Sequence, residues 1–251
     1  MAANRTNTVQ GRNVEHLFAN SVADHPRAFN AMIKSVGIPQ DATYLEGEVV
    51  GGRHRKADVI LHFAESLRTI SMHPSERRLQ LRCSVKSFTG AGYNHIERRR
   101  LSEFCSRNQI VKADEDFLET LIKRKSLDPR NTALVLPGER EKVRQIFSPI
   151  EVGMSALIGN DHPQILVLFS IEQSRFHIYN MAQSVEPHIR SSNIGFTPRS
   201  SNIKIGEYIV VQRKGSSKEA GGRADDIQIK MLVRKFFDEI TPTCYYQLSA
   251  P

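Results

Sequence analysis

Residues 56–63, Lys-Ala-Asp-Val-Ile-Leu-His-Phe, decide the fold reading. Ala57, Val59, Leu61 and Phe63 alternate with Asp58, Ile60 and His62, the period of two that marks a strand with one buried face. An upstream run, Tyr44 to Val50, is also strand-like, and the Gly-led basic stretch GGRHRK (51–56) reads as the turn between the two. Downstream, a charged turn from His73 to Arg78 precedes a third strand, Leu79 to Phe88, with Cys83 and Val85 on one face and Ser84 and Lys86 on the other.

Working outward, Val14, Leu17, Phe18, Ser21 and Val22 form a helical stripe stopped by Pro26. A second helical stretch, Phe29 to Val36, ends at Gly37, with Pro39 beyond. A helix is expected to carry Arg98, Arg99 and Arg100, with Leu101, Phe104 and Cys105 on its apolar side. Further helices are expected at Asp116 to Lys125 and Glu139 to Phe147, and a fully buried strand at Pro163 to Ile171, where the apolar run is continuous. Ile203, Ile205, Ile209 and Val211 alternate, as do Ile227, Ile229, Met231 and Val233, so two strands are expected around the loop KGSSKEAGGRAD. The pattern predicts an α/β fold, a mixed central β-sheet flanked by helices.

The chain has 251 residues, 39% hydrophobic and 25% charged, which suits one globular domain spanning 1–251. No run reaches the ~18 apolar residues of a membrane span, and the first residues lack the apolar core of a secretory signal. Three widely spaced cysteines, Cys83, Cys105 and Cys244, form neither a disulfide framework nor a zinc pair. A cytoplasmic protein without membrane attachment is expected. The excess of 35 Lys and Arg over 27 Asp and Glu, a formal charge of +8, favours a polyanionic partner. P-loop, Rossmann, GxSxG and HExxH patterns are all absent from the sequence.

What remains is an acid on one strand, Asp58, and a cation on the next, Lys86. Phosphodiester hydrolysis needs a hard-cation ligand, a held water and a positive group for the charge that grows on phosphorus. Asp58 and Lys86 offer the first and third. Glu15, in Gly11-x-x-x-Glu15, and Glu46 and Glu48 on the strand before Asp58 could gather further carboxylates at one sheet end.

The segments GRHRKADVILHF (52–63), RCSVKSFTGAGYNHIERR (82–99), TPRSSNIKIGEYIVVQRKG (197–215) and GGRADDIQIK (221–230) resemble, in order, the small type II restriction endonucleases of the HinPI type, which cut GCGC. The resemblance is strongest over 44–110 and 195–240. It implies a PD-(D/E)XK nuclease core in residues 1–112 and a DNA-recognition hairpin within 190–240. It further implies cleavage of double-stranded DNA with one or two Mg2+ ions. Asp58 then takes the metal-binding aspartate's place and Lys86 that of the catalytic lysine. The position two before that lysine is Glu or Asp in most relatives and Gln in the HinPI branch, but here it is Ser84. Either another carboxylate, Glu15, Glu46 or Glu48, completes the site, or activity is weakened. The Val85 carbonyl is a further metal ligand in this reading. Asn94, His95 and Arg98 correspond to a segment that contributes to DNA reading, and Arg199, Gln212, Arg213, Lys214 and Arg223 to DNA-binding positions in the hairpin.

The function implied is a sequence-specific endonuclease of a restriction-modification system, acting at GCGC or a related short GC-rich site. A cognate DNA methyltransferase would be its functional partner, and a homodimer would suit a palindromic site. The alternatives are a repair nuclease with little sequence specificity, or a DNA-binding protein on a decayed nuclease core.

Overall fold

A computed structural model describes residues 2–50, 57–67, 75–89, 93–128, 132–159, 161–214 and 226–248. The helices are α1 (Ala2–Asp24), α2 (Asn30–Ser35), α3 (Leu101–Arg107), α4 (Lys112–Leu127), α5 (Arg140–Ile146), α6 (Pro149–Ile158), α7 (Glu186–Arg190) and α8 (Val233–Glu239). The first six strands are β1 (Thr43–Val49), β2 (Val59–Leu67), β3 (Ser75–Phe88), β4 (Tyr93–Arg100), β5 (Ile165–Ser170) and β6 (Arg175–Asn180). The rest are β7 (Ile194–Phe196), β8 (Ile203–Ile205), β9 (Ile209–Lys214), β10 (Asp226–Leu232) and β11 (Cys244–Gln247).

The chain divides into two compact units. The first comprises 1–90, 158–185 and 240–251, and the second 91–157 and 186–239. Residues 91–112 fall in the second unit, while 158–185 and 240–251 return to the first.

The first unit holds a six-stranded mixed sheet in the order β1-β2-β3-β5-β6-β11, antiparallel except where β3 and β5 run parallel. Val59, Leu61, Phe63, Leu81, Cys83 and Val85 share one face and join Val14, Phe18, Val22, Phe29 and Met32 from the helical segment in one core. The helical stripe and the strand alternation therefore meet as the sequence predicts. Gly37 closes α2 with φ 78°, and its N–H and that of Ile38 donate to the carbonyls of Lys34 and Ile33. That pair of bonds is the Schellman stop, which needs a residue tolerant of the left-handed conformation. All six residues of β5 are buried, as expected from its unbroken apolar run.

β2 and β3 are longer than the sequence suggests. The charged stretch read as a turn supplies the first residues of β3, paired as Arg78 with Ala64 and Arg77 with Glu65. Arg77 and Arg78 are exposed, so this arm of the hairpin carries charge without burying it. Residues 51–56, expected as a basic turn, lie outside the described residues.

The second unit holds a five-stranded antiparallel sheet in the order β4-β10-β9-β8-β7. Leu118, Leu121, Ile122, Leu134, Phe147, Ile203, Val211 and Ile227 line its apolar interior. Two expectations are corrected here. Arg98 to Arg100 are strand, because β4 pairs with β10 along its length and the helix starts only at Leu101. Ile203 to Val211 form two strands, because Gly206 (φ 57°) turns the chain between β8 and β9. A Cβ there would approach Ser192 Oγ to 2.9 Å and the Tyr208 ring to 3.0 Å, so the turn needs glycine for space as well as conformation. The segment expected to read DNA contains the β9–β10 pair, which lies inside the sheet, between β8 and β4.

Candidate active site and nucleic-acid interface

Asp58 directly precedes β2, and its backbone is held by both neighbouring strands. Its N–H donates to the Cys83 carbonyl at 2.8 Å, and its carbonyl accepts from the Val50 N–H at 3.0 Å. The side chain leaves the sheet on the face opposite the apolar core. There Oδ2 accepts three bonds from β3: from Val85 N–H at 2.8 Å, Lys86 Nζ at 2.5 Å and Ser84 Oγ at 3.3 Å. Lys86 Nζ also donates to the Val85 carbonyl at 3.2 Å. Asp58 and Ser84 are buried, and Lys86 is half-buried. The four residues singled out at this point of the sequence, 58, 84, 85 and 86, therefore converge.

Beneath them, burial and, less strongly, the Asp58 carboxylate push the Cys83 thiol well above its ordinary value, so it is an inert core residue. The donor set suits a hard cation. Asp58 Oδ2 and the Val85 carbonyl face one point, which the ammonium of Lys86 fills. A Mg2+ ion is commonly held by one or two protein oxygens, with water completing the shell.

The three glutamates are placed differently. Glu48 is exposed on β1, opposite Ile60, and its carboxylate lies 3.7 Å from His62 Nε2. Glu46 is exposed opposite His62. Glu15 is half-buried on α1, the helix that covers the core face of the sheet. Among the described residues no group of three or more His, Cys, Asp or Glu gathers to hold a metal.

In the second unit the register puts Gln212, Lys214, Asp226, Gln228 and Arg98 on one face, and Arg213 with Val211 and Ile227 on the other. The polar face is tied together. Gln212 Nε2 donates to Gln228 Oε1 at 2.8 Å, and Arg98 Nε and an Nη contact Asp226 Oδ2 at 2.7 and 2.6 Å. Arg213 is half-buried towards Lys125, and burial lowers the basicity of both. Lys214 and Arg199 are exposed. The backbones of Asn94 and His95 stand opposite Met231 and Lys230. Arg223 lies outside the described residues. Gln228 and Lys230 were not singled out from the sequence. The signal was present in Asp-Ile-Gln-Ile-Lys, whose polar members alternate with the apolar residues taken as strand.

No protein-family model matches the chain, and no curated protein matches it significantly. Among solved structures it is similar to the crystal structure of restriction endonuclease MspI in complex with its cognate DNA. That match has 14% identity and a TM-score of 0.42, over 80% of this chain and 75% of the other. Among the described residues no helix is long and apolar enough to cross a membrane.

Proposed function

We propose that the protein is a metal-dependent endonuclease that hydrolyses phosphodiester bonds of double-stranded DNA at a short GC-rich site, GCGC or a related one. The observation that carries this reading is the convergence of Lys86, Ser84 and the Val85 amide on one oxygen of Asp58, at a point where two protein oxygens face a cation.

With the Lys86 ammonium swung off them towards the substrate, Asp58 and the Val85 carbonyl would hold Mg2+, which would supply Lewis-acid polarisation of the phosphoryl oxygen and acidify water. The chain's own groups do the rest. Lys86 places a positive charge where negative charge grows on the phosphoryl oxygens. The Val85 N–H and Ser84 hydroxyl keep the Asp58 carboxylate in one orientation. In the net reaction water oxygen bonds to phosphorus, one bridging P–O bond breaks, and a proton passes from water to the departing oxygen.

Reading of the site is assigned to the polar face of β9, β10 and β4, where amide and guanidinium groups are prearranged by Gln212–Gln228 and Arg98–Asp226. The biological setting that fits is a restriction-modification system with a cognate methyltransferase in the cytoplasm. A homodimer would match a two-fold site.

Supercoiled plasmid incubated with Mg2+ tests the activity. Discrete fragments with common termini support a site-specific enzyme, and a smear supports the repair-nuclease alternative. A second reading, DNA binding without cleavage, is favoured by the single carboxylate at the site and the lack of a wider ligand cluster among the described residues. A mobility shift with no cutting in either Mg2+ or Mn2+ would establish it.

A further inference from the structure

We propose that β3 is a track for one DNA strand, with Arg78, Gln80 and Arg82 holding successive phosphates on the approach to Lys86. The proposal rests on the endonuclease reading and goes beyond it by naming the surface that feeds the site.

Along this 14-residue strand the odd-numbered residues Leu79, Leu81, Cys83 and Val85 belong to or pack against the core. From 78 to 86 the even-numbered residues are Arg78, Gln80, Arg82, Ser84 and Lys86, a row of hydrogen-bonding side chains between Glu76 at the start of the strand and Phe88 at its end. Arg78, Gln80 and Arg82 are exposed. Alternate residues of a strand lie about 7 Å apart on one face, the order of the spacing between neighbouring phosphates of a DNA strand. Arginine forks take phosphate oxygens with two bonds, and amide N–H groups take them singly.

Arg82 is anchored through its backbone, and one guanidinium nitrogen is tied to a neighbouring carbonyl. Its N–H donates to Gln164 Oε1 at 2.8 Å, the Gln164 N–H returns a bond to the Arg82 carbonyl at 2.9 Å, and one Nη donates to the Asp161 carbonyl at 3.0 Å. Among the described residues the ion pairs of this sheet are Lys86–Asp58 and His62–Glu48, and none of them engages Arg78 or Arg82. The exposed acids Glu46 and Glu48 stand two strands away on β1, opposite His62 and Ile60. They repel phosphate from that side and confine the strand to β3.

The test is DNA binding by the full chain to a short duplex, with Ca2+ in place of Mg2+, between about 50 and 200 mM salt. Arg78→Ala and Arg82→Ala should each flatten the slope of log affinity against log salt by about one unit, and together by about two, as lost phosphate contacts do. Arg82→Lys should restore most of the slope. Arg77→Ala removes the same charge from the other face of the strand and should leave the slope near wild type. In cleavage the track variants should raise KM. Unchanged slopes for Arg78→Ala and Arg82→Ala, or an equal effect of Arg77→Ala, would overturn the track. Wild-type protein that binds DNA without cutting would sink the endonuclease reading alone, and the absence of any DNA binding would sink both.

Discussion

Lys86 Nζ lies 2.5 Å from Asp58 Oδ2, although 28 positions separate the two residues in the chain. The antiparallel register of β2 and β3 sets the pair, because Val59 stands opposite Cys83 and so places Asp58 beside Ser84. The ammonium also touches the Val85 carbonyl, so a single cation satisfies both oxygens. This geometry makes the lysine and the aspartate separable by experiment.

Lys86→Ala should abolish cleavage while leaving DNA affinity close to wild type, because the ammonium serves the transition state more than the ground state. Asp58→Ala should also abolish cleavage, and should in addition remove the calorimetric signal of Mg2+ or Mn2+ binding at this site. Wild-type cutting by either variant would refute the site.

Ser84→Ala should cost much less. Its hydroxyl lies 3.3 Å from Asp58 Oδ2, while the shorter contacts from Val85 and Lys86 remain. Loss of one such bond is expected to raise the activation free energy by about 1 kcal/mol, read as a several-fold fall in kcat. A fall as deep as that of Asp58→Ala would make the serine indispensable.

Gln212→Ala removes the partner of Gln228 on the polar sheet face and should weaken binding to the cut sequence by roughly 1–3 kcal/mol, with little effect on random DNA. Arg213 points to the opposite, packed face of the same strand. Arg213→Ala should therefore lower thermal stability more than it alters the ratio of cognate to random affinity. Competition binding with the two duplexes, beside a melting curve, separates the outcomes.

His177 provides a pH test of the first unit. Burial, with a smaller contribution from Arg175, lowers its pKa to about 4. Its ring is edge-on to Tyr245 at 5.1 Å. The unfolded chain binds this proton near the ordinary pKa of about 6.5, so the folded state carries fewer protons between that value and about 4. The stabilisation is complete above the unfolded pKa and is lost as pH falls through this window, by up to about 3 kcal/mol. Urea midpoints measured from neutral to acid pH should fall for the wild type and fall less for His177→Gln.

Much of the first unit was legible in the sequence. Strand alternation at Ala57 to Phe63 and at Leu79 to Phe88, the stripe on α1, the stop at Gly37 and the buried run of β5 all express local physics, in which side chains two or four positions apart share a face. Asp58, Ser84 and Lys86 were visible for the same reason, since each lies on the polar face of an amphipathic strand. Other elements, β6, β7, β11, α6, α7 and α8, were too short or too evenly apolar for their period to stand out.

By itself the sequence determined the α/β class, the faces of β2 and β3 and the residues that carry the proposed chemistry. Only the tertiary structure decided the rest, because each remaining choice depends on a partner far along the chain. Arg98 to Arg100 have helix-compatible side chains and become strand through pairing with β10, with Arg98 meeting Asp226 across 128 positions. Gly206 interrupts what alternation alone reads as one strand. Arg213 and Gln212 are neighbours in sequence, yet one packs and the other faces outward, because β10 fixes which side of β9 is apolar. Local periodicity sets which side chains share a face; long-range strand pairing sets what that face meets.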